Sequence, residues 1–178
     1  MLHQLCALGE AELLAVTACY TSPYVAGCID AINRYCNREV PVGINYSVKN
    51  EDGGVYAGPL CTEFSNRYPA ETYGTPNAAP DTLHVLREIL AHVDDHSITL
   101  TATGFIASLA RLVQSPADDI SKKTGRELIE HKVLRTVIMG GRFFGTWPMP
   151  MIVGSDCVVR TEWNIKADIQ SSQIMFRE

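Results

Sequence analysis

The sequence predicts an α/β fold in which a mostly parallel sheet is covered by helices on both faces. Three observations carry that expectation. Apolar runs short enough for strands alternate with stretches whose apolar residues recur at helical spacing. Several of the runs are continuous, as in strands buried on both faces. No internal repeat or low-complexity tract breaks the order. At 178 residues, 46% hydrophobic and 20% charged, the chain is the size of one domain with its own core.

Taken in order, "LLAVTAC" (13–19) reads as a buried strand after an acidic turn. Residues 24–37 place Val25, Cys28, Ile29, Ile32, Tyr35 and Cys36 on one helical stripe. "VPVGI" (40–44) is a second short strand. Residues 46–80 hold much of the Gly, Pro, Asn and Ser, and predict a long irregular excursion, functional or disordered. Asp81 then caps a helix carrying Leu83, Leu86, Ile89, Leu90 and Val93. "SITLTAT" (97–103) is a strand. A helix over 104–114 follows, with Phe105, Ile106, Leu109, Leu112 and Val113 at helical spacing and Ser115-Pro116 as its stop. Another helix near 124–133 precedes the strand "TVIMGG" (136–141), and a final helix starts near Asp168. This succession is Rossmann-like, and in such sheets ligands bind at the carboxyl ends of the strands. The candidate positions are the "CYTSPY" turn, Thr103-Gly104 and "MGGRFFG".

Composition excludes several classes. A net charge of −5 with no Lys/Arg cluster argues against nucleic-acid and anionic-membrane partners. No apolar run approaches the roughly 20 residues that cross a bilayer. The start "MLHQLCALGEAELLAV" has no basic leader and is broken by Glu10 and Glu12, unlike a signal peptide. The six cysteines show no CxxC pair and no Cys/His metal spacing, which predicts reduced thiols and a cytoplasmic home. "NYS" at 45–47 matches a glycosylation acceptor that recurs by chance.

Few residues stand out as chemistry. Thr103-Gly104 at a strand–helix junction offers a backbone carbonyl or amide to a ligand or ion, or is an ordinary tight turn. The glycines of "MGG" are ambiguous in the same way, and neither segment has GxGxxG form or a Walker lysine. Asp94-Asp95 and Asp118-Asp119 read as solvated charge. His92 and His96 are four apart, but Asp94-Asp95-His96 favours a helix ending over a metal face. No nucleophile elbow is present. The remaining feature is "EWN": Glu162 and Asn164 flank a tryptophan just before a helical pattern. On an extended segment they face one side, and together they offer acceptors and donors suited to a vicinal diol such as a sugar edge.

Four segments together resemble the inosine-uridine-preferring nucleoside hydrolase family. They are "GEAELLAVTACYTSPYVAGCIDAINRY", "SITLTATGFIASLARLVQSP", "VLRTVIMGGRF" and "EWNIKADIQSSQIMF", in the family's order over most of residues 9–178. The resemblance implies hydrolysis of the N-glycosidic bond of ribonucleosides to ribose and free base, as in purine and pyrimidine salvage. It implies that Glu162 and Asn164 bind ribose hydroxyls, that Met139 lies near the sugar, and that the Thr103 carbonyl coordinates calcium. It implies a small-molecule nucleoside as partner and a homo-oligomer, since family members commonly form dimers or tetramers.

The chain also departs from the family. The family's aspartate-rich calcium motif ends its first strand, and the resemblance aligns Met1 with a point inside the helix that follows. The general base and most calcium ligands are therefore expected upstream of Met1, and a further calcium aspartate and an assisting histidine beyond Glu178. A ribose-binding asparagine is replaced around Thr21-Ser22, and Ile169 stands where a proline is common. The expectation is one partial nucleoside hydrolase-like domain over residues 1–178. Its central strand would be missing, so the chain alone would be unstable, self-associating or completed by a strand of another copy. Two alternatives stay open: a shortened, non-catalytic relative that binds a ribose-containing ligand or a partner subunit, and a hydrolase acting on a different glycosyl group.

Overall fold

Local sequence signals set most of the elements. In the computed structural model, residues 1–22, 24–49, 54–63, 79–141, 151–153, 156–158 and 162–177 are described. A first helix, α1 (Leu2–Ala7), precedes the strand β1 (Val16–Ala18). Then come α2 (Val25–Tyr35), β2 (Val42–Ile44), α3 (Gly54–Glu63), α4 (Thr82–His92), β3 (Ile98–Ala102) and α5 (Ala107–Gln114). The order closes with α6 (Gly125–Lys132), β4 (Val133–Ile138), β5 (Met151–Val153), β6 (Asp156–Val158), α7 (Trp163–Ala167) and α8 (Ile169–Arg177).

The chain is thus mixed helix and strand, with short parallel pairs, compatible with an α/β fold. Val16↔Val42 to Ala18↔Ile44 make β1–β2 parallel. Thr99↔Arg135 to Ala102↔Ile138 make β3–β4 parallel, with an irregularity after Ile98. β5 and β6 form an antiparallel hairpin that periodicity does not anticipate. One apolar cluster of Ala26, Val42, Ile44 and Ala79 sits under the first pair. A second, of Leu90, Leu112 and Leu128, joins α4, α5 and α6 beside Ile98 and Val133.

The caps explain several boundaries. The Asp81 carboxylate accepts from the Leu83 N–H at 2.8 Å and starts α4 where expected. Thr124 and Glu127 form a reciprocal capping box at the start of α6. Asp168 accepts from the Ser171 N–H at 3.0 Å at the start of α8. Other boundaries move. β4 begins at Val133, three residues before the expected start, because it leaves α6 directly, and α5 begins at Ala107 rather than 104.

Three expectations are corrected. Residues 46–80 are not irregular throughout: α3 occupies Gly54–Glu63 with Pro59 inside it. Its stability is tertiary, since Gly58 sits against the Tyr24 ring and the Cys61 thiol donates to the Tyr24 carbonyl at 3.3 Å. The remainder of that stretch, apart from residues 46–49 and 79–80, lies outside the described residues. Second, the α2 stripe is not its most buried face. Ile32 and Tyr35 are exposed, whereas Ala26, Gly27, Asp30, Ala31 and Asn33 are buried. Small residues let the helix approach its neighbours closely, and the buried Asn33 amide donates to the Val40 carbonyl at 3.2 Å.

Third, Asp118 is not idle surface charge. It accepts from Arg87 Nε at 2.7 Å and Nη2 at 2.8 Å, and the Arg87 side chain is 1% exposed. The same guanidinium donates to Ser115 Oγ and to the carbonyls of Ser121 and Lys123, so this buried cation is fully engaged. Asp95, likewise, pairs with Lys132 at 2.7 Å. His96 lies in a turn with φ 52°, beyond the end of α4, consistent with a helix stop rather than a metal face. Among the described residues no helix is long and apolar enough to cross a membrane.

The carboxyl ends of the two parallel pairs lie side by side. A Cβ on Gly104, just after β3, would stand 2.8 Å from the Cys19 sulfur, just after β1. The Tyr20 and Phe105 rings are 6.3 Å apart at the same junction. Beneath them, Arg111 of α5 donates to both Asn45 Oδ1 and Asp81 Oδ2 at 3.0 Å, tying the end of β2 to α4 and α5.

Candidate functional site

Four residues from three separate stretches of sequence meet at the carboxyl end of the β3–β4 pair. Thr103 follows β3, Met139 follows β4, and Glu162 and Asn164 stand at the start of α7. The 139–141 turn brings Met139 down beside Thr103 through a Met139 N–H to Ala102 carbonyl bond of 2.8 Å.

Asn164 is the buried centre of this group. Its Nδ2 donates to the Met139 carbonyl at 2.9 Å and the Thr103 carbonyl at 3.3 Å, with the Met139 sulfur at 3.4 Å. Two carbonyl oxygens facing one amide can be met only by its NH2 end, so the side chain is oriented by its neighbours. Its Oδ1 receives no hydrogen bond among the described residues.

Glu162 is the N-cap of α7. One carboxylate oxygen accepts from the Asn164 N–H at 2.8 Å. The other accepts from the Ile165 N–H at 3.0 Å and the Gly141 N–H at 3.2 Å. Gly141 has φ +85°, a conformation that suits glycine, and a Cβ on Gly140 would press on the same carboxylate oxygen at 3.2 Å. Burial alone would raise the Glu162 carboxyl. The backbone N–H groups of Asn164, Ile165, Gly141 and Trp163 together outweigh it and hold the group below the usual glutamate value. Glu162 is therefore an anion at neutral pH and no proton donor.

This geometry changes the reading of the "EWN" spacing. Glu162 and Asn164 are not two side chains on one face of an extended segment. They are the cap and the second residue of a helix, and the spacing is that of a capping bond. Glutamate is an uncommon cap, which is why composition directs attention to Asp168 instead.

The arrangement also decides what the site can accept. A carboxylate has about four acceptor positions, and the backbone N–H groups of Asn164, Ile165, Gly141 and Trp163 engage about that many, so Glu162 contributes mainly its fixed negative charge. Asn164 has spent its donors and keeps Oδ1. Thr103 keeps a second lone pair on its carbonyl. Among the described residues, the unused positions here are acceptors, which suit hydroxyl or cationic groups.

Calcium requires roughly six to eight oxygens. Among the described residues no group of three or more His, Cys, Asp or Glu converges, and the Thr103 carbonyl is a single oxygen already bonded by an amide. The described donors do not by themselves form a calcium shell.

Next to Thr103, Gly104 packs against the Cys19 sulfur. Burial raises the Cys19 thiol, while the Phe105 backbone N–H partly offsets it. In sequence, Thr103-Gly104 is open to a ligand-facing backbone group or a tight turn; in the structure the adjacent Cys19 sulfur leaves no room for a Cβ at Gly104. Ser22 of the "CYTSPY" turn is buried and accepts from the Tyr24 N–H at 3.3 Å, a local turn contact. Residues 142–145 of "MGGRFFG" lie outside the described residues. No family model matches the chain, and no curated protein matches it.

Proposed function

We propose that this chain carries the ribose-holding part of a nucleoside N-ribohydrolase site, within a Rossmann-like nucleoside hydrolase-type domain. The observation supporting the reading is the convergence of Thr103, Met139, Glu162 and Asn164 at the carboxyl end of a parallel strand pair. Ligands of open α/β sheets bind at that end.

The chemistry is consistent with these groups. A ribose diol presents hydroxyl donors, and among the described residues Asn164 Oδ1 and the second lone pair of the Thr103 carbonyl are acceptors, beside the Glu162 charge. Departure of the base leaves a sugar with oxocarbenium character, and a fixed carboxylate beside it favours the developing positive charge. Glu162, held ionised by backbone N–H groups, supplies that charge without reorganising. The partly exposed Met139 side chain offers an apolar surface beside the sugar. No residue of the chain is assigned as general base. Calcium enters only as a ligand that donors besides Thr103 have to hold.

A second reading, a non-catalytic protein that binds a ribose-containing ligand or a partner subunit, is favoured by one observation. Both site side chains are already occupied in structural bonds, Glu162 as a cap and Asn164 as a tie between two strand ends. Base release separates the readings. In a complete protein that joins these residues to a general base and calcium donors, liberation of free base from inosine or uridine, reduced at least tenfold by Glu162→Gln, is the result expected of the hydrolase. Saturable nucleoside binding without base release identifies the second reading. Absence of both contradicts both.

A further inference from the structure

The packing of α3 on α2 brings two thiols together. Tyr24, the N-cap of α2, lies one turn before Cys28, and Gly58 and Cys61 lie one turn apart on α3. The Gly58 position contacts the Tyr24 ring, where an added Cβ would be 3.7 Å from Cδ2. One turn along, the Tyr24 carbonyl accepts from both the Cys28 backbone N–H at 2.9 Å and the Cys61 thiol at 3.3 Å. A helical side chain leans toward the N-terminal turn, so the Cys28 side chain leans toward the carbonyl that holds the Cys61 sulfur. Both cysteines are half-buried and both are reduced.

We infer that Cys28 and Cys61 form a redox-sensitive pair, closing to a disulfide that fastens α3 to α2 when the chain meets a glutathione-type disulfide. The Cys61 thiolate, whose contact lies at the surface, attacks glutathione disulfide and expels one glutathione thiolate. Cys28 then attacks the resulting mixed disulfide at the Cys61 sulfur and expels the second glutathione. The two cysteines lose two protons and two electrons, and one glutathione disulfide becomes two glutathione thiols. Burial raises both thiols, and a charge on Cys28 further opposes ionisation of Cys61, so closure accelerates as pH rises. The closed pair ties a helix of the 46–80 excursion to the helix that follows β1. It is independent of the ribohydrolase reading.

The test incubates the folded chain with glutathione disulfide, quenches with an alkylating agent and maps peptides by mass spectrometry. The expected product is a Cys28–Cys61 cross-linked peptide, reversed by dithiothreitol, formed at least tenfold faster in the folded chain than in urea. In Cys61→Ser, that cross-link disappears and Cys28 remains alkylatable or carries glutathione. Two results overturn the inference: a Cys19–Cys28 link as the main product, or both Cys28 and Cys61 remaining free while Cys6 and Cys36 are modified.

Discussion

Asn164 shows how a single residue is legible by type and illegible by role. An amide near a strand end signals polar chemistry, but only the fold reveals that its two donors bridge Thr103 and Met139. The same holds for glycines. Gly125 is an unremarkable letter in "KKTGREL", yet a Cβ there would overlap the Leu112 carbonyl oxygen and the Ser115 hydroxyl. Its N–H also donates to the Ser115 carbonyl at 2.9 Å, docking α6 on the end of α5. Because the obstruction includes backbone, relief requires moving a helix. Gly125→Ala is expected to destabilise the chain by about 3 kcal/mol, the upper end of ordinary overpacking. Chemical denaturation reads this, and an unchanged midpoint would show that α6 is not seated as described.

At the scale of elements, amphipathic spacing located the helices better than it located their buried faces. α2 has its apolar stripe in sequence, but Ala26, Ala31 and Asn33 are the residues buried. Shape, not hydrophobicity, decided which face packed. α3 was hidden because its glycines and Pro59 carry the composition of a loop, and a contact with Tyr24 made in three dimensions is what supports it. The link between α4 and the 115–123 loop was hidden for a similar reason, since a lysine-like surface role is the default for Arg87. Bonds to Arg87, chiefly its side-chain hydrogen bond, with backbone N–H groups, hold the Asp118 carboxyl at about 2, below its ordinary 3.8. The folded value is the lower one, so the pairing stabilises the fold above the ordinary value. That contribution is lost as pH falls from 3.8 through about 2. Urea midpoints followed across that range should fall more steeply for the natural chain than for Asp118→Asn. Parallel curves would assign acid sensitivity to other carboxylates.

Across the whole molecule, the alternation from β1 through α2 to β2 and from α4 through β3, α5 and α6 to β4 is readable, while α1, α3, α7, the β5–β6 hairpin and the pairing of strands are not. Periodicity is a local property, whereas β1–β2 and β3–β4 are joined by contacts far apart in sequence. Those contacts gather the ends of both pairs around Cys19, Gly104, Asn45 and Arg111, and bring Thr103, Met139, Glu162 and Asn164 into one place. The resemblance in "SITLTATG", "MGG" and "EWN" points to those four residues; that the unused positions of Asn164 and Thr103 are acceptors comes only from the hydrogen bonds. Titration calorimetry with a ribonucleoside and its 2′-deoxy counterpart tests the ribose-holding role most directly. The account predicts saturable binding of the ribonucleoside, at least tenfold weaker binding of the deoxy form, and about tenfold loss of ribonucleoside affinity in Glu162→Gln, a change of about 1.4 kcal/mol. Equal affinities for the two nucleosides, or no binding of either, would contradict it.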